Sequence, residues 1–276
     1  MRKISDLKYQ QLEIREPMEN VFVGEMKING RKSFNLNFIN DLTDFFMFVY
    51  EQKNIDNKNR FFVFKGEEGS GIFNLGGDLK LFLELVEKKD ILKLQMYGRQ
   101  CVDLIYKSIQ AKNSGMTTVA LINGHAKGGG FESTLACDII IAEKDYKIDL
   151  PEIALGFFPG MGAFELLTKR IGIVEAKKFI FSGKSKYTNE LYELGVFDYL
   201  VERGKSEEEL LNIVKKERAS QTTYNSVRKI CDRLNPVFYH DLIDTVDLWV
   251  DSILDISEEN KSRINRVIET IDKRYK

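Results

Sequence analysis

The 276 residues read as an α/β core that passes into a helical tail. Three observations carry that reading. Short apolar runs at Phe61-Phe62-Val63-Phe64, Thr117 to Ile122 and Asp138 to Ala142 have the length and the β-branched or aromatic content of buried strands. Segments of helical composition lie between them, so the strands are joined by crossovers. From Met161 onward the pattern is nearly all helical.

Taken in order, Gln11 to Lys27 holds short β-type runs such as Asn20-Val21-Phe22-Val23, and Asn29-Gly30 is a turn signal. Leu36, Phe38, Ile39, Leu42, Phe45, Phe46 and Val49 recur at helical spacing. Asn54 to Arg60 is polar and predicts a loop. The Phe61 to Phe64 strand runs out into a Gly-rich loop, Gly66 to Gly71, and a helical pattern then fills Leu79 to Ile109 with an interruption near Asp90. The run at Thr117 stops at Asn123-Gly124, the triple glycine Gly128-Gly129-Gly130 follows, and a short helical stretch leads into the run at Asp138. Only four prolines break the chain, and Pro236 is expected between two tail helices. Trp249 lies in a mostly apolar stripe with Leu242, Val246, Leu248, Val250 and Ile253, which reads as core or oligomer packing. The expected division is a core over residues 1–200 and a helical C-terminal region over 201–276.

Composition excludes several chemistries. Lys and Arg total 41 against 42 for Asp and Glu, a balance with no bulk attraction for nucleic acid or an anionic membrane. The two histidines, His125 and His240, and three scattered cysteines, Cys101, Cys137 and Cys231, form no zinc pattern and no disulfide framework. Met1 to Asp6 has no apolar signal region, and the longest apolar stretch, near Phe45 to Tyr50, is far too short to span a bilayer. The expectation is a soluble, cytoplasmic protein. If it is an enzyme, its chemistry runs on carboxylates, hydroxyls and backbone groups.

Three segments are candidates for that chemistry. The first is Asn123-Gly124-His125-Ala126-Lys127-Gly128-Gly129-Gly130-Phe131-Glu132, after a strand and opening a helix. Glycines there let backbone N–H groups approach a ligand, and a helix N-terminus adds positive potential. A thioester oxygen gaining negative charge would be held by such groups. A tight packing turn with Glu132 facing the helix dipole explains the same residues. The second is Leu150-Pro151-Glu152 followed by Gly156-Phe157-Phe158-Pro159-Gly160-Met161-Gly162. Glu132 and Glu152, twenty positions apart, can converge as acid and base for adding water to a carbon–carbon double bond or removing it. An apolar wall such as Phe157-Phe158 would raise the pKa of one of them. Taken singly, each glutamate reads as a solvated surface charge. The third is Gly71-Ile72-Phe73-Asn74-Leu75-Gly76-Gly77-Asp78-Leu79, which offers a second backbone N–H, or simply a loop with Asp78 as helix cap. No phosphate-binding loop and no Gly-x-Ser-x-Gly elbow occurs. Cys137 reads as inert core, His125 as a structural or surface histidine ahead of a ligand contact, and Glu207-Glu208-Glu209 as a solvated first turn.

In this order and spacing the three segments resemble the crotonase (enoyl-CoA hydratase/isomerase) superfamily, and within it the diffusible signal factor synthases. Phe73 to Phe82, Gly128-Gly129-Gly130-Phe131-Glu132, Phe158 to Ala163 and the tail segment Leu248-Trp249-Val250-Asp251 carry the closer likeness. The resemblance is dense from Phe61 to Leu200, weaker in the tail and only general before Phe61. It implies a spiral of ββα units with C-terminal helices that build a homotrimer or a dimer of trimers. It implies catalysis by Glu132 and Glu152, an oxyanion hole from the N–H groups of Leu75 and Gly129, and a pocket including Gly76, Gly128, Phe131, Phe157, Phe158 and Met161. The implied reaction dehydrates a 3-hydroxyacyl chain on acyl carrier protein and then hydrolyses the thioester, releasing a free cis-2-unsaturated fatty acid. An ordinary enoyl-CoA hydratase or isomerase and a non-catalytic scaffold of the same fold are the other readings. No metal or redox cofactor is implied, since the acyl group arrives as a phosphopantetheine or CoA thioester. A regulatory protein partner also fits the resemblance. Lys127 departs from the family, which commonly carries an apolar residue there. Pointing inward it would displace the acyl chain, and pointing outward it would meet carrier phosphate.

Overall fold

The computed structural model describes residues 2–27, 32–52 and 58–274. The turn signal at Asn29-Gly30, and the part of the expected polar loop up to Asn57, lie outside the described residues. A six-stranded sheet forms the body, in the order β1 (Leu12–Met18), β2 (Val21–Met26), β3 (Arg60–Lys65), β5 (Met116–Ile122), β7 (Ile139–Glu143), β10 (Tyr199–Val201). The β1–β2 pair is antiparallel and every other pairing in this sheet is parallel. Both faces are covered, which is why β3, β5 and β7 read as unbroken apolar runs rather than alternations. Phe62, Phe64, Ala120, Ile122, Ile140 and Ala142 face the main core. Phe61, Val63, Val119, Leu121, Ile139 and Ile141 face a second core closed by Leu210, Ile213 and Val214 of α7 (Ser206–Ala219).

A second, four-stranded sheet has the order β4 (Ile72–Asn74), β6 (His125–Lys127), β8 (Lys147–Asp149), β9 (Lys186–Tyr187). Two central strands of the first sheet are each followed by a short strand of the second and then by helix: β3–β4 by α2 (Leu79–Glu87) and α3 (Ile91–Gln110), and β5–β6 by α4 (Gly129–Leu135). This is the ββα spiral the sequence resemblance implies. The short strands escape sequence reading because two or three residues show no period.

The first helix, α1 (Leu36–Glu51), starts where the Asn35 side chain accepts the Phe38 N–H at 2.9 Å and buries its apolar stripe on the sheet. Asp78 caps α2 as expected, accepting the Leu81 N–H at 3.2 Å, and Asp90 separates α2 from α3 by capping the latter. Beyond α5 (Ala163–Ser182) and α6 (Thr188–Glu193), the tail is α7, α8 (Gln221–Leu234), α9 (Tyr239–Leu254) and α10 (Glu258–Arg274), with Pro236 between α8 and α9. The tail is packed into the body: α7 closes the second core, and Val246 of α9 sits where a side chain on Gly98 of α3 would go. The first turn of α7 differs from its sequence reading. Glu207 is not a solvated charge, because it accepts from Arg15 and, at 2.7 Å, from the wholly buried ammonium of Lys65. Among the described residues no helix is long and apolar enough to cross a membrane.

Candidate active site

Glu132 is the fourth residue of α4 and is 2 % exposed. Its Oε2 accepts the backbone N–H groups of Met161 at 2.8 Å and Ala163 at 3.2 Å. The carboxylate is therefore held in one orientation by the turn that opens α5. Glu152 begins a short 3-10 turn, Glu152–Leu155, set by Pro151, and is 8 % exposed. Its carboxylate lies against Gly128: a Cβ built on that glycine would fall 2.1 Å from Glu152 Oε1. Gly128 has φ +45°, so both its conformation and its missing side chain are required. Gly130, two residues on, lets α4 press onto β4, since a Cβ there would fall 2.7 Å from Asn74.

The two glutamates line one cavity of about 30 Å³ with Gly77, Phe82, Tyr97, Gly98, Gly129, Phe157, Gly160, Met161 and Trp249. Burial raises both carboxyl groups: Glu132 goes well above the ordinary range, with repulsion from Glu152 as the next cause. Glu152 is pushed up to about 7, again first by burial. Glu152 Oε2 is buried with no hydrogen-bond partner among the described residues. Buried in one cavity, the two carboxyls are both displaced toward the protonated form, and their charge states belong to the pair.

The backbone donors differ in part from expectation. Gly129 lies in the cavity wall as expected. Leu75 does not: its N–H already donates to the Lys32 carbonyl at 2.7 Å, because residues 32–34 run beside residues 75–77 as a short parallel ladder. The Gly76 N–H is likewise taken, by Asn74 Oδ1 at 2.8 Å. The next residue, Gly77, has no acceptor for its N–H among the described residues and does face the cavity. The Gly129 N–H likewise has no acceptor among the described residues, and a Cβ on Gly129 would fall 3.6 Å from the Gly77 nitrogen, so the two donors are neighbours.

Of the other expected pocket residues, Phe157 and Met161 are in the wall. Phe131 is not: its ring is fully buried in the main core against Phe179 and Phe197. Phe158 packs half-buried on the same core without reaching this cavity. Gly76 and Gly128 stand behind the wall, against the Lys127 carbonyl and Glu152 respectively. Lys127 points outward to an ion pair with Asp149 at 3.2 Å. His125 is structural, its Nδ1 accepting the Lys147 N–H at 2.8 Å.

Sequence reasoning missed the outer wall. Phe82, Tyr97 and Trp249 form an aromatic group with ring centroids 5.0 to 6.5 Å apart. The Tyr97 hydroxyl donates to the Phe34 carbonyl at 2.6 Å, tying α3 to the chain beside the Gly76-Gly77 loop. Trp249 is core, as its apolar stripe predicts, but also wall: it covers Gly160, where a Cβ would meet its ring at 2.4 Å. The signals were the chain's one tryptophan and a glycine at position 98 inside a long helical run.

The enoyl-CoA hydratase/isomerase family model matches residues 19–247. The chain belongs to that family. One curated relative is the fatty acid oxidation complex subunit alpha of Acinetobacter baylyi, 37 % identical over 119 residues, 43 % of this chain. The matched stretch is only 16 % of that relative's length, and 24 % of the corresponding protein of a Psychrobacter species. Among solved structures, an enoyl-CoA hydratase from Bacillus halodurans superposes with a TM-score of 0.79 at 19 % identity, over 93 % of this chain and all of that one. A methylmalonyl CoA decarboxylase superposes with a TM-score of 0.72 at 19 % identity, over 96 % of this chain and 97 % of that one. The crotonase fold is thus shared by proteins named for different reactions, and the choice of reaction rests on the site.

Proposed function

We propose that this protein is an enoyl-thioester hydratase/dehydratase. The observation that carries the reading is the convergence of Glu132 and Glu152, both buried and both raised in pKa, on one small cavity beside two free backbone N–H groups. The thioester carbonyl accepts from Gly129 and, in this conformation, from Gly77. Leu75 joins them only when the Lys32 carbonyl is displaced. These donors stabilise the enolate oxygen that forms when the α-carbon gains or loses a proton. Glu152, with one oxygen free and a pKa near neutrality, exchanges that proton. Glu132, fixed by Met161 and Ala163, positions the water or hydroxyl at the β-carbon. The chain's own groups supply every proton transfer, and the acyl group is delivered as a CoA or carrier-protein thioester. The exposed Val227, Ile230 and Leu234 of α8 support assembly as a homotrimer or a dimer of trimers.

A finer reading has one observation in its favour. Trp249, in the tail segment that resembles the signal factor synthases, is part of the cavity wall. On this reading the same site dehydrates a 3-hydroxyacyl thioester and then directs water to the carbonyl, releasing thiol and a free cis-2-unsaturated acid. The test is to incubate purified protein with 3-hydroxyacyl-carrier protein and with enoyl-CoA, following products by mass spectrometry. Free 2-enoic acid supports the finer reading, and reversible hydration without free acid returns the protein to hydratase. Inertness toward all acyl thioesters leaves a scaffold.

A further inference from the structure

The loop that offers the Gly77 N–H is anchored by a side chain from a different element. We propose that Tyr97 of α3 is a positioning residue for that donor. Its hydroxyl sits between the Phe34 carbonyl and the Asp78 N–H, and keeps the Gly76-Gly77-Asp78 backbone where the Gly77 N–H faces the cavity. The proposal rests on the thioester reading above, which makes Gly77 a donor to the substrate oxygen.

The hydrogen bonds around Phe34 are the first argument. Residues 32–34 and 75–77 run parallel, with the Leu75 N–H on the Lys32 carbonyl at 2.7 Å and the Phe34 N–H on the Gly76 carbonyl at 2.8 Å. No cis peptide bond occurs among the described residues. In the trans Gly76–Gly77 peptide, a carbonyl held toward Phe34 therefore turns the N–H the opposite way. The next rung of a parallel ladder would set the Asp78 N–H on the Phe34 carbonyl, and Phe34 and Gly77 do form an isolated parallel bridge. The Tyr97 hydroxyl shares that rung. It donates to the Phe34 carbonyl at 2.6 Å and accepts the Asp78 N–H at a long 3.5 Å. The Gly77 carbonyl is held in turn by the Leu79 N–H at 3.0 Å. Gly77 is thus fixed through both of its peptide groups, and its own N–H is the group left over.

The setting of the ring is the second argument. Tyr97 is 3 % exposed, edge-on to Phe82 at 5.0 Å and tilted against Trp249 at 6.5 Å, so its hydroxyl has little freedom. Burial pushes the phenol well above its ordinary range, which keeps it a proton donor while the glutamates titrate. The contact with the loop is close: a Cβ on Gly77 would fall 3.7 Å from the Tyr97 oxygen. A phenylalanine at 97 fills the same space without the hydroxyl. The Asp78 N–H and Phe34 carbonyl then close directly on each other, and the Gly77–Asp78 peptide moves toward residue 34 and away from the cavity. Both backbone groups stay paired, so the loss falls on the donor's aim rather than on folding.

The test compares the full-length wild type with Tyr97→Phe. In hydration of crotonyl-CoA, kcat should fall about tenfold and KM stay within about twofold, because the donor acts on charge that develops in the transition state. Butyryl-CoA, isotope-labelled at the thioester carbonyl, has no double bond to hydrate and reports the donor directly. Its bound carbonyl stretch in infrared difference spectra should lie below the free value in the wild type and move back toward it in Tyr97→Phe. Tyr97→Met also lacks the hydroxyl and decides the matter if Tyr97→Phe does not fold. Equal band positions in the wild type and the folded variant overturn the proposal, and a loss confined to melting temperature makes Tyr97 a packing residue only. A wild-type band at the free value overturns it too, since no donor then acts on the carbonyl. A band that shifts without hydration of any enoyl thioester upholds the positioning role and removes the hydratase reading. Hydration with an unshifted band does the reverse.

Discussion

On the proposed reading two carboxyl groups decide the chemistry, and burial with a raised pKa makes them unlike most other acidic residues. Replacing either Glu132 or Glu152 by Gln keeps its shape and removes its proton exchange. Each change should cut hydration about a hundredfold to ten-thousandfold, measured as loss of enoyl absorbance. Burial also makes Glu152 a measurable burden on folding. Its pKa is about 7 in the native state against about 4.3 in an unfolded chain. Below about pH 4 both states hold the proton and stability is nearly unaffected. As pH rises to 7 the unfolded chain ionises first, so the native state loses stability, by up to about 4 kcal/mol above pH 7. Glu152→Gln should therefore match the wild type near pH 4 and exceed it in urea unfolding near pH 8. A variant less stable at both pH values would show that the carboxylate contributes bonds that outweigh its burial.

The functional elements are short, and their fit depends on contacts that sequence patterns do not record. The first turn of α4 lies against Glu152 on one side and β4 on the other. Gly128→Ala introduces a Cβ into the Glu152 carboxylate and strains a backbone at φ +45°. It should cost about 1–3 kcal/mol in thermal unfolding and most of the activity, whereas a packing role alone would spare turnover in the folded fraction. The sequence showed this turn as a triple glycine opening a helix, but left open whether it bound a ligand or merely packed. Leu75 marks the limit of element-level reasoning. Its position in the motif matched an oxyanion donor, yet its N–H belongs to a ladder with residues 32–34, and the free N–H lies two residues further on.

At the scale of the whole molecule the tail does two jobs. It closes the site through Trp249, and it presents α8, which buries none of its own side chains. Val227, Ile230 and Leu234 lie exposed along one side of that helix, more apolar surface than a solvated helix needs. On the proposed trimeric assembly, Ile230→Asp should reduce the species seen by light scattering from trimer or hexamer to monomer while the protomer keeps its helical circular dichroism. An unchanged mass would move the contact to another face.

By itself the sequence determined the α/β core, the crossover connections, the helical tail and the two glutamates, because each rests on local period, glycine spacing or motif order. Only the tertiary structure decided the second sheet, the identity of the free backbone donors and the aromatic wall. The strands of that sheet are too short to carry a period. A backbone N–H is free or occupied according to which distant carbonyl reaches it, as Lys32 reaches Leu75. Tyr97, Gly160 and Trp249 meet only because α9 packs on α3, a contact between residues about 150 positions apart that no local pattern encodes.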